Sequence, residues 1–306
     1  MNTTPSFTHT LRQRWQAADS MLCVGLDPDP ARIPAHLGTG PEAIDRFCRD
    51  IIAATADTVC AFKPQIAYFA AQGAEDVLAG LIAHIHAEHP GIPVILDAKR
   101  GDIGSTARQY GVEAFDRFKA DALTLSPFMG FDSIEPYFEW AGRGLILLCR
   151  TSNPGGNDLQ ALSVLPAGDA TGTPSGAPSP RQSASDTASS AQPEKLYEHL
   201  ARLAAGPWNV NGELGLVVGA TFPDELARVR ALAPRLPLLV PGVGAQGGDV
   251  NATVRAGLDA DGYGLVINSS RAILYAGKGT DFADQARKAA VATRDAIRAA
   301  RDAARA

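Results

Sequence analysis

The segment with the clearest chemical content runs from Asp97 to Asp102, reads DAKRGD and directly follows the apolar run 94–96. Residues two apart on a β-strand face the same side, so Asp97 and Lys99 should point together from a strand end. Asp102 lies beyond the flexible Gly101 and could fold back or reach a neighbouring chain. A lysine flanked by two carboxylates should stay protonated and firmly placed, because close carboxylates repel unless a cation lies between them. The segment therefore predicts a positioned proton donor; the alternative is an ordinary ion pair, which contributes little stability.

Charged residues also follow other short apolar runs. Asp27 comes directly after the first such run, and Lys63 comes directly after the second. Each residue taken alone is either a solvated loop residue or a ligand contact. Together with the 97–102 segment and Arg271, which follows the last run, they indicate that charged side chains converge on one mouth of the fold.

Two further segments predict a phosphate site. Residues 241–249 read PGVGAQGGD, and their glycines let the backbone approach a bulky anion. Residues 268–271 read NSSR and should open a short helix whose free amide groups favour an anion. A glycine-rich loop alone is weak evidence, but loops after strands seven and eight are where α/β barrels bind phosphate. The candidate phosphate-binding residues are Pro241, Gln246, Ser270 and Arg271.

Ser152 lies in the segment 151–156, which reads TSNPGG and follows another apolar run. This segment could form a polar lip that reads the hydrogen-bonding edge of a ligand. Its Asn-Pro-Gly composition is equally typical of a plain turn. Both interpretations stay open from the residues alone.

Other motifs give no support to metal, hydrolase or dinucleotide chemistry. His84, His86 and His89 suggest a metal cluster at first sight, but residues 84 and 86 diverge by about 200° on a helix. No acidic residue joins these histidines at a ligand spacing, so we predict no metal site there. The sequence also lacks a Ser-His-Asp order, a Walker loop and a GxGxxG motif after the first strand.

The elements that must position these residues form a βα pattern. Short β-type runs alternate with amphipathic stretches such as 41–56, 74–89, 105–118 and 223–233, which favours a parallel sheet. Eight such runs predict a (β/α)8 (TIM) barrel, whose active site lies at the carboxyl ends of the strands. A doubly wound open sheet is the alternative, although it usually has fewer strands. The predicted strands are 22–26, 59–62, 93–97, 122–125, 144–149, 214–218, 237–240 and 264–267.

The 306 residues are predicted to form a single barrel domain, 1–306, interrupted by one insertion. Residues 167–193 contain no Ile, Leu, Val, Phe, Met, Trp or Tyr and cannot bury apolar area, so we interpret them as a flexible loop after strand five. A linker between two domains is the alternative, but three more strands are needed afterwards to complete one barrel. Residues 281–306 should form the last helix, with Thr280 as its cap.

Composition narrows the partners and the compartment. A net charge of −5 gives no electrostatic case for binding nucleic acid, and a small polar ligand fits better. No run of 18 apolar residues and no signal-like segment occurs, so we predict a chain that is neither exported nor membrane-spanning. The four cysteines show no Cys-x-x-Cys pairing, which indicates reduced thiols in a cytoplasmic protein.

Residues 96–107, which read LDAKRGDIGSTA, and residues 241–249 together resemble the orotidine 5'-phosphate decarboxylase family, which makes UMP. The resemblance is specific and runs from about residue 22 to residue 275. Within the family the chain is similar to the longer bacterial type, in which the lysine lies in a DAKRGD setting and the strand-five loop reads SNPG. The 167–193 insertion departs from the short family pattern, which affects loop length and not chemistry.

The resemblance implies a cofactor-independent decarboxylation of orotidine 5'-monophosphate to UMP and CO2, in de novo pyrimidine biosynthesis. Lys99 would protonate C6 as CO2 leaves, while Asp97 lies beside the substrate carboxylate. Asp102 and Thr106 would come from the partner subunit of a homodimer with a shared active site and would contact the ribose. This agrees with the residues, because an electron pair left on a ring carbon must be favoured by fixed charges.

The resemblance also implies how the nucleotide is bound. Asp27 and Lys63 match the family's contacts with the ribose hydroxyls, and Ser152 matches its pyrimidine contact. Gln246 and Arg271 match its phosphate clamp. Phosphate binding far from the reacting carbon would hold loops closed, so that its binding energy raises the rate of the reaction and not only the affinity.

Two alternatives remain. A magnesium-dependent decarboxylase of keto-sugar phosphates, from the same superfamily, resembles the Asp-x-Lys-x-x-Asp pattern too. Those enzymes place a carboxylate ligand near the end of strand two, where Lys63 would repel magnesium here. A non-catalytic barrel that only binds a nucleotide is the second alternative, and it would not need a lysine between two aspartates.

Overall fold

The computed structural model describes residues 6–166, 192–243 and 248–305, and within them an eight-stranded parallel sheet curls into a barrel. Its strands are β1 Leu22–Leu26, β2 Ala61–Pro64, β3 Ile95–Arg100, β4 Ala122–Leu125, β5 Gly144–Arg150, β6 Leu214–Val218, β7 Leu238–Val240 and β8 Leu265–Ser269. Around the barrel the strands follow the order β2-β1-β8-β7-β6-β5-β4-β3. The bridges Phe62–Val94 and Gln65–Asp97 join β2 to β3 and so bring the two ends of the sheet together. The predicted (β/α)8 barrel is confirmed.

Helices cover the outside of the barrel, which is why its strands are buried on both faces and read as continuous apolar runs. In the second helix the buried residues Ile44, Phe47, Cys48 and Ile51 recur at helical spacing and form the face that meets the sheet. The helices are α1 Phe7–Ala18, α2 Gly40–Thr55, α3 Ile66–Ala70, α4 Glu75–Glu88, α5 Gly104–Gly111, α6 Leu196–Ala205, α7 Pro223–Leu232, α8 Val250–Gly257, α9 Arg271–Leu274 and α10 Phe282–Arg305. None of the helices in the described ranges is long and apolar enough to cross a membrane.

Helix α1 closes the amino-terminal end of the barrel and was not predicted. It buries Phe7, Leu11 and Trp15, and the amide of Phe7 donates to Gly142 O, just before β5. Its first turn is held by the carboxylate of Glu213, just before β6, which accepts from Thr8 N at 2.9 Å. Helix α1 therefore packs across the amino-terminal end of the barrel, opposite the carboxyl ends of the strands.

The predicted bounds of several elements differ from the observed ones. β2 ends at Pro64 and β3 at Arg100, beyond the apolar runs, because their last residues still pair with the neighbouring strands. The predicted helix 105–118 is α5 followed by a π-helical segment, Val112–Arg117. The last helix begins at Phe282. Apolar periodicity locates an element, but hydrogen bonding to neighbours decides where it ends.

The insertion leaves and returns to the barrel at one place. Ser163–Val164 and Glu194–Lys195 form a two-stranded antiparallel ribbon, so the chain on either side of the insertion lies side by side. β5 and β6, which precede and follow it, are neighbours in the same sheet. Residues 167–191, the main part of the predicted flexible loop, lie outside the described residues.

Candidate active site

A cavity of about 520 Å³ lies at the carboxyl ends of the barrel strands. Parallel strands all end on this face, so residues distant in sequence meet here. The cavity brings together most of the residues predicted from the sequence. Those that line it are Asp27, Lys63, Asp97, Lys99, Ser152, Pro241, Ser270 and Arg271.

Asp97 lies at the centre of a charge array. Its Oδ2 is 2.8 Å from Nζ of Lys63 on β2, and its Oδ1 is 2.6 Å from Nζ of Lys99. Within one chain the arrangement is thus a carboxylate between two ammonium groups, and not a lysine between two carboxylates as expected. Asp102 supplies no contact to Lys99 here; its Oδ1 accepts from the amide of Ile103 at 2.8 Å.

Lys63 and Asp97 keep their charges although both are buried. Burial alone would raise the pKa of the Asp97 carboxyl, but the charges of Lys63 and Lys99 outweigh it and hold that pKa well below its usual range. Burial alone would lower the pKa of the Lys63 ammonium, but Asp97 and Asp27 outweigh it and hold that pKa above its usual range. The cavity therefore presents a fixed pattern of positive and negative charge at neutral pH.

Thr124 of β4 organises the backbone under this array and was missed in the sequence. Its Oγ1 accepts from the amides of Ala98 and Lys99 at 3.0 and 2.9 Å, and its hydroxyl donates to Asp97 Oδ1 at 3.0 Å. Lys99 has a φ of +48°, which is uncommon for a residue other than glycine, and the pairing of β3 with β4 shifts register here. The only signal for Thr124 is a polar residue inside an apolar strand.

We expect the buried Lys63–Asp97 pair to stabilise the fold with a defined pH dependence. Asp97→Asn leaves the ammonium of Lys63 buried without its counter-charge, which should cost about 3–5 kcal/mol of unfolding free energy at neutral pH. A lowered folded-state pKa gives stability that is present above the unfolded value and is lost as the pH falls through the folded one. The difference between wild type and variant should thus be flat from about pH 5 to 8 and shrink below about pH 4. Urea unfolding from pH 3 to 8 measures it, and a decline between pH 5 and 7 would contradict the lowered pKa.

Two residues that line the cavity each carry a buried oxygen without a hydrogen-bond partner in the described part of the chain. These oxygens are Oδ1 of Asp27, directly after β1, and Oδ1 of Asn268, on β8. A buried polar atom without a partner is costly, so each oxygen is an acceptor that lacks a donor. Asn268 belongs to the NSSR segment, but the sequence did not distinguish it from its neighbours as a contact.

The predicted phosphate segments lie on one side of the cavity. Pro241, Gly242 and Val243 follow β7 and line it, and Gly248 N donates to Gly242 O at 3.2 Å, which pins the two ends of the loop together. Residues 244–247, including the predicted Gln246, lie outside the described residues. Arg271 begins helix α9 directly after β8, the strand next to β7.

The loop after β5 forms another wall of the cavity. Thr151, Ser152, Asn153 and Gln160 line it, so the loop is more than a plain turn. Ser152 is held from the segment after β6, where the hydroxyl of Thr221 donates to Ser152 O at 3.3 Å. Asn153 and Gln160 were not predicted as site residues, and Gln160 carried no signal in the sequence.

Asp102 and Thr106 lie apart from these residues. Neither lines the cavity of its own chain; Asp102 is half-buried after β3 and Thr106 is exposed on α5. Ile103 between them is 48% exposed. Their predicted contacts with the ribose from a partner subunit stay a prediction.

The histidines of α4 do not converge. His86 contacts Asp121 at 2.8 Å, whereas the rings of His84 and His89 pack against each other. Over the ranges 6–166, 192–243 and 248–305, the structure contains no group of three or more His, Cys, Asp or Glu side chains arranged to hold a metal ion.

Comparison with known proteins shows the family of the chain. A model of the orotidine 5'-phosphate decarboxylase / HUMPS family matches residues 20–171. An orotidine 5'-phosphate decarboxylase of Azoarcus sp. (strain BH72) is 63% identical over 295 residues, which cover 96% of this chain and 99% of that protein. The chain belongs to the orotidine 5'-phosphate decarboxylase family. A second relative in the family, from Aromatoleum aromaticum, is 61% identical over 95% of this chain and 98% of its own length.

The fold agrees with solved structures of the family. The structure of Leishmania donovani OMP decarboxylase superposes with a TM-score of 0.76, at 40% identity, and covers 97% of this chain and 99% of that one. The sequence-based assignment to this family is therefore confirmed, and it extends over the whole barrel.

Proposed function

We propose that this protein decarboxylates orotidine 5'-monophosphate to UMP and CO2, with Lys99 as the proton donor. The observation that carries the proposal is the array of Lys63, Asp97 and Lys99 inside a cavity that also holds a phosphate-type loop pair. The family membership supports the same reaction, which belongs to pyrimidine biosynthesis.

The array suits this reaction because it opposes the substrate carboxylate and favours what replaces it. Asp97 places a fixed negative charge where that carboxylate would lie, and burial keeps this charge poorly screened. When the C–C bond breaks, CO2 leaves and its electron pair stays on C6. The ammonium of Lys99 gives a proton to that pair, which forms the C–H bond of UMP and leaves a neutral amine to be reprotonated from water. Charges already in place need no reorganisation during this step.

The remaining cavity residues fit the other parts of the nucleotide. Asp27 and Lys63 line the cavity and are assigned to the ribose hydroxyls, and this assignment is supported by Oδ1 of Asp27, which lacks a donor in the described part of the chain. Ser152 is assigned to the pyrimidine edge. Arg271, together with the backbone after β7, is assigned to the phosphate.

Turnover in the presence of EDTA separates this function from its alternatives. We expect the purified protein to convert orotidine 5'-monophosphate to UMP at the same rate with and without excess EDTA. The loss of the substrate's ultraviolet absorbance measures this rate. We expect no effect of EDTA because a magnesium site would need a carboxylate near the end of β2. That position holds the buried ammonium of Lys63, which is paired with Asp97. Turnover only of keto-sugar phosphates with Mg²⁺, or UMP binding without turnover, would each overturn the proposal.

Removing the guanidinium of Arg271 should weaken nucleotide binding. Hydrogen bonds to charged groups contribute about 1.5–3 kcal/mol, so Arg271→Ala should raise KM by roughly ten- to a hundredfold. Steady-state kinetics measure this, with Lys278→Ala as a control, since Lys278 is exposed and does not line the cavity. The phosphate site would be refuted if the wild-type protein turned over orotidine, which lacks the phosphate, as efficiently as the monophosphate.

We further propose that the active site is shared in a homodimer and that the protein is cytoplasmic. Asp102 and Thr106 lie outside their own cavity beside the exposed Ile103, and Phe128 and Met129 add apolar surface that is 75% and 47% exposed. Apolar surface of this kind is typical of an interface between subunits. The four cysteines are buried and free, as expected in a reducing compartment.

A further inference from the structure

We propose that Arg150 is a positioning residue, whose guanidinium holds the loop after β5 in the shape that presents Ser152 to the pyrimidine ring. This inference rests on the proposed function, which assigns Ser152 to the nucleotide. Arg150 is the last residue of β5 and is only 1% exposed. It does not line the cavity, so any effect on the ligand must pass through other residues.

The guanidinium joins the loop to the body of the barrel. On the loop side, Nη2 donates to Asn157 Oδ1 at 2.5 Å and Nη1 donates to Gln160 Oε1 at 3.4 Å. On the body side, Nε pairs with Glu225 of α7, and Cζ lies 4.0 Å above the ring of Phe222. The planar fork of an arginine can make these contacts at once, whereas a lysine ammonium cannot reproduce them.

The loop closes tightly around this anchor. Gln160 Oε1 also accepts from Thr151 N at 2.9 Å, and Gln160 Nε2 donates to Thr151 Oγ1 at 3.0 Å. A Cβ on Gly156 would lie 2.9 Å from Nη1 of Arg150, so the backbone passes directly over the guanidinium. The two ends of the loop, 151 and 160, are therefore tied to each other and to Arg150.

Ser152 is fixed as a result. Its neighbour Thr151 is held by Gln160, and Gly219 N donates to Arg150 O at 2.7 Å. A Cβ on Gly219 would lie 2.7 Å from Ser152 Cα, so the backbone of Ser152 rests directly on the end of β6. Loss of the Arg150 fork would therefore loosen the loop that carries Ser152, while the catalytic array on β2 and β3 stays in place.

If the loop has the binding-competent shape in only a fraction of the molecules, the apparent Kd is the intrinsic Kd divided by that fraction. Once nucleotide is bound, the loop is in place and the chemistry is unchanged. Loss of positioning therefore raises KM and leaves kcat at saturation almost unchanged. A merely structural defect does the opposite, because it lowers the amount of active protein, hence the apparent kcat, and leaves KM as it was.

The test compares Arg150→Lys with wild type, using UMP and ribose 5-phosphate as binding probes. We expect the Kd of UMP and the KM of the substrate to rise about tenfold, as for the loss of one charge-assisted hydrogen bond, with kcat within about twofold. The Kd of ribose 5-phosphate, which has no pyrimidine, should stay at the wild-type value. Asn157→Ala, on the exposed side of the loop, should also raise the Kd of UMP. This variant provides the test if Arg150→Lys does not fold.

Two variants serve as controls. Arg230→Lys alters another buried arginine, whose guanidinium donates to the carbonyls of Gly257, Leu236 and Gly264 away from the cavity, and should lower Tm without changing KM. Asp158→Ala alters the exposed neighbour of Asn157 and should change neither Tm nor KM. The inference is overturned if Arg150→Lys and Asn157→Ala keep the wild-type Kd for UMP, or if ribose 5-phosphate loses as much affinity as UMP. Wild-type protein without turnover would instead refute the proposed function.

Discussion

Lys99→Ala should reduce kcat at least a hundredfold, because general acid catalysis by a positioned group is typically worth about 10²–10⁴. The loss should appear in kcat more than in KM, since the proton is needed only in the transition state. UMP should still bind. The Lys99 side chain is 46% exposed, so its removal opens no cavity and Tm should stay close to the wild-type value. Stopped-flow or steady-state assays with purified variant measure kcat.

Lys119→Ala is the matched control for this experiment. Lys119 also has a positive φ, +58°, and it is exposed away from the cavity. Replacing it changes the same side chain on the same kind of backbone without touching the site, so activity should be unchanged. A Lys99→Ala protein that keeps more than about a tenth of the wild-type kcat would rule out Lys99 as the proton donor.

Mixing two inactive variants should restore activity if the site is shared. In the proposed dimer, Lys99 of one chain works with Asp102 of the other. Lys99→Ala and Asp102→Asn proteins that are refolded together should form mixed dimers in about half of all cases, because a two-fold dimer draws its subunits independently. One site of each mixed dimer then carries both changes and the other carries none. About a quarter of all sites should therefore recover.

The same mixture discriminates against a site within one chain. If Asp102 served the cavity of its own chain, every site would keep one altered residue and the activity would stay flat after refolding. Each variant refolded alone controls for recovery through folding. Sedimentation of the mixture confirms that dimers are present, and activity that stays flat in that sample would overturn the shared site.

Much of the fold followed from the sequence because its signals are local. Parallel strands that are covered on both faces read as continuous apolar runs, and the helices between them repeat with helical spacing. Parallel barrel strands all end on one face, so the sequence alone predicted that Asp27, Lys63, Asp97 and Arg271 lie together at that face. The residue types then defined the chemistry, since a phosphate loop and a proton donor need particular side chains.

The tertiary structure decided which groups share a bond. Asp97 lies between Lys63 and Lys99 because β2 closes the barrel against β3, a pairing between strands that no local pattern records. Thr124 reaches Asp97 because β3 shifts register where Lys99 takes its positive φ. In the sequence Arg150 only follows the predicted strand 144–149, yet in the fold it is the buried last residue of β5 and lies under the loop that follows. A side chain's direction at an irregular strand end depends on neighbours distant in the chain, and only the folded barrel brings those neighbours together.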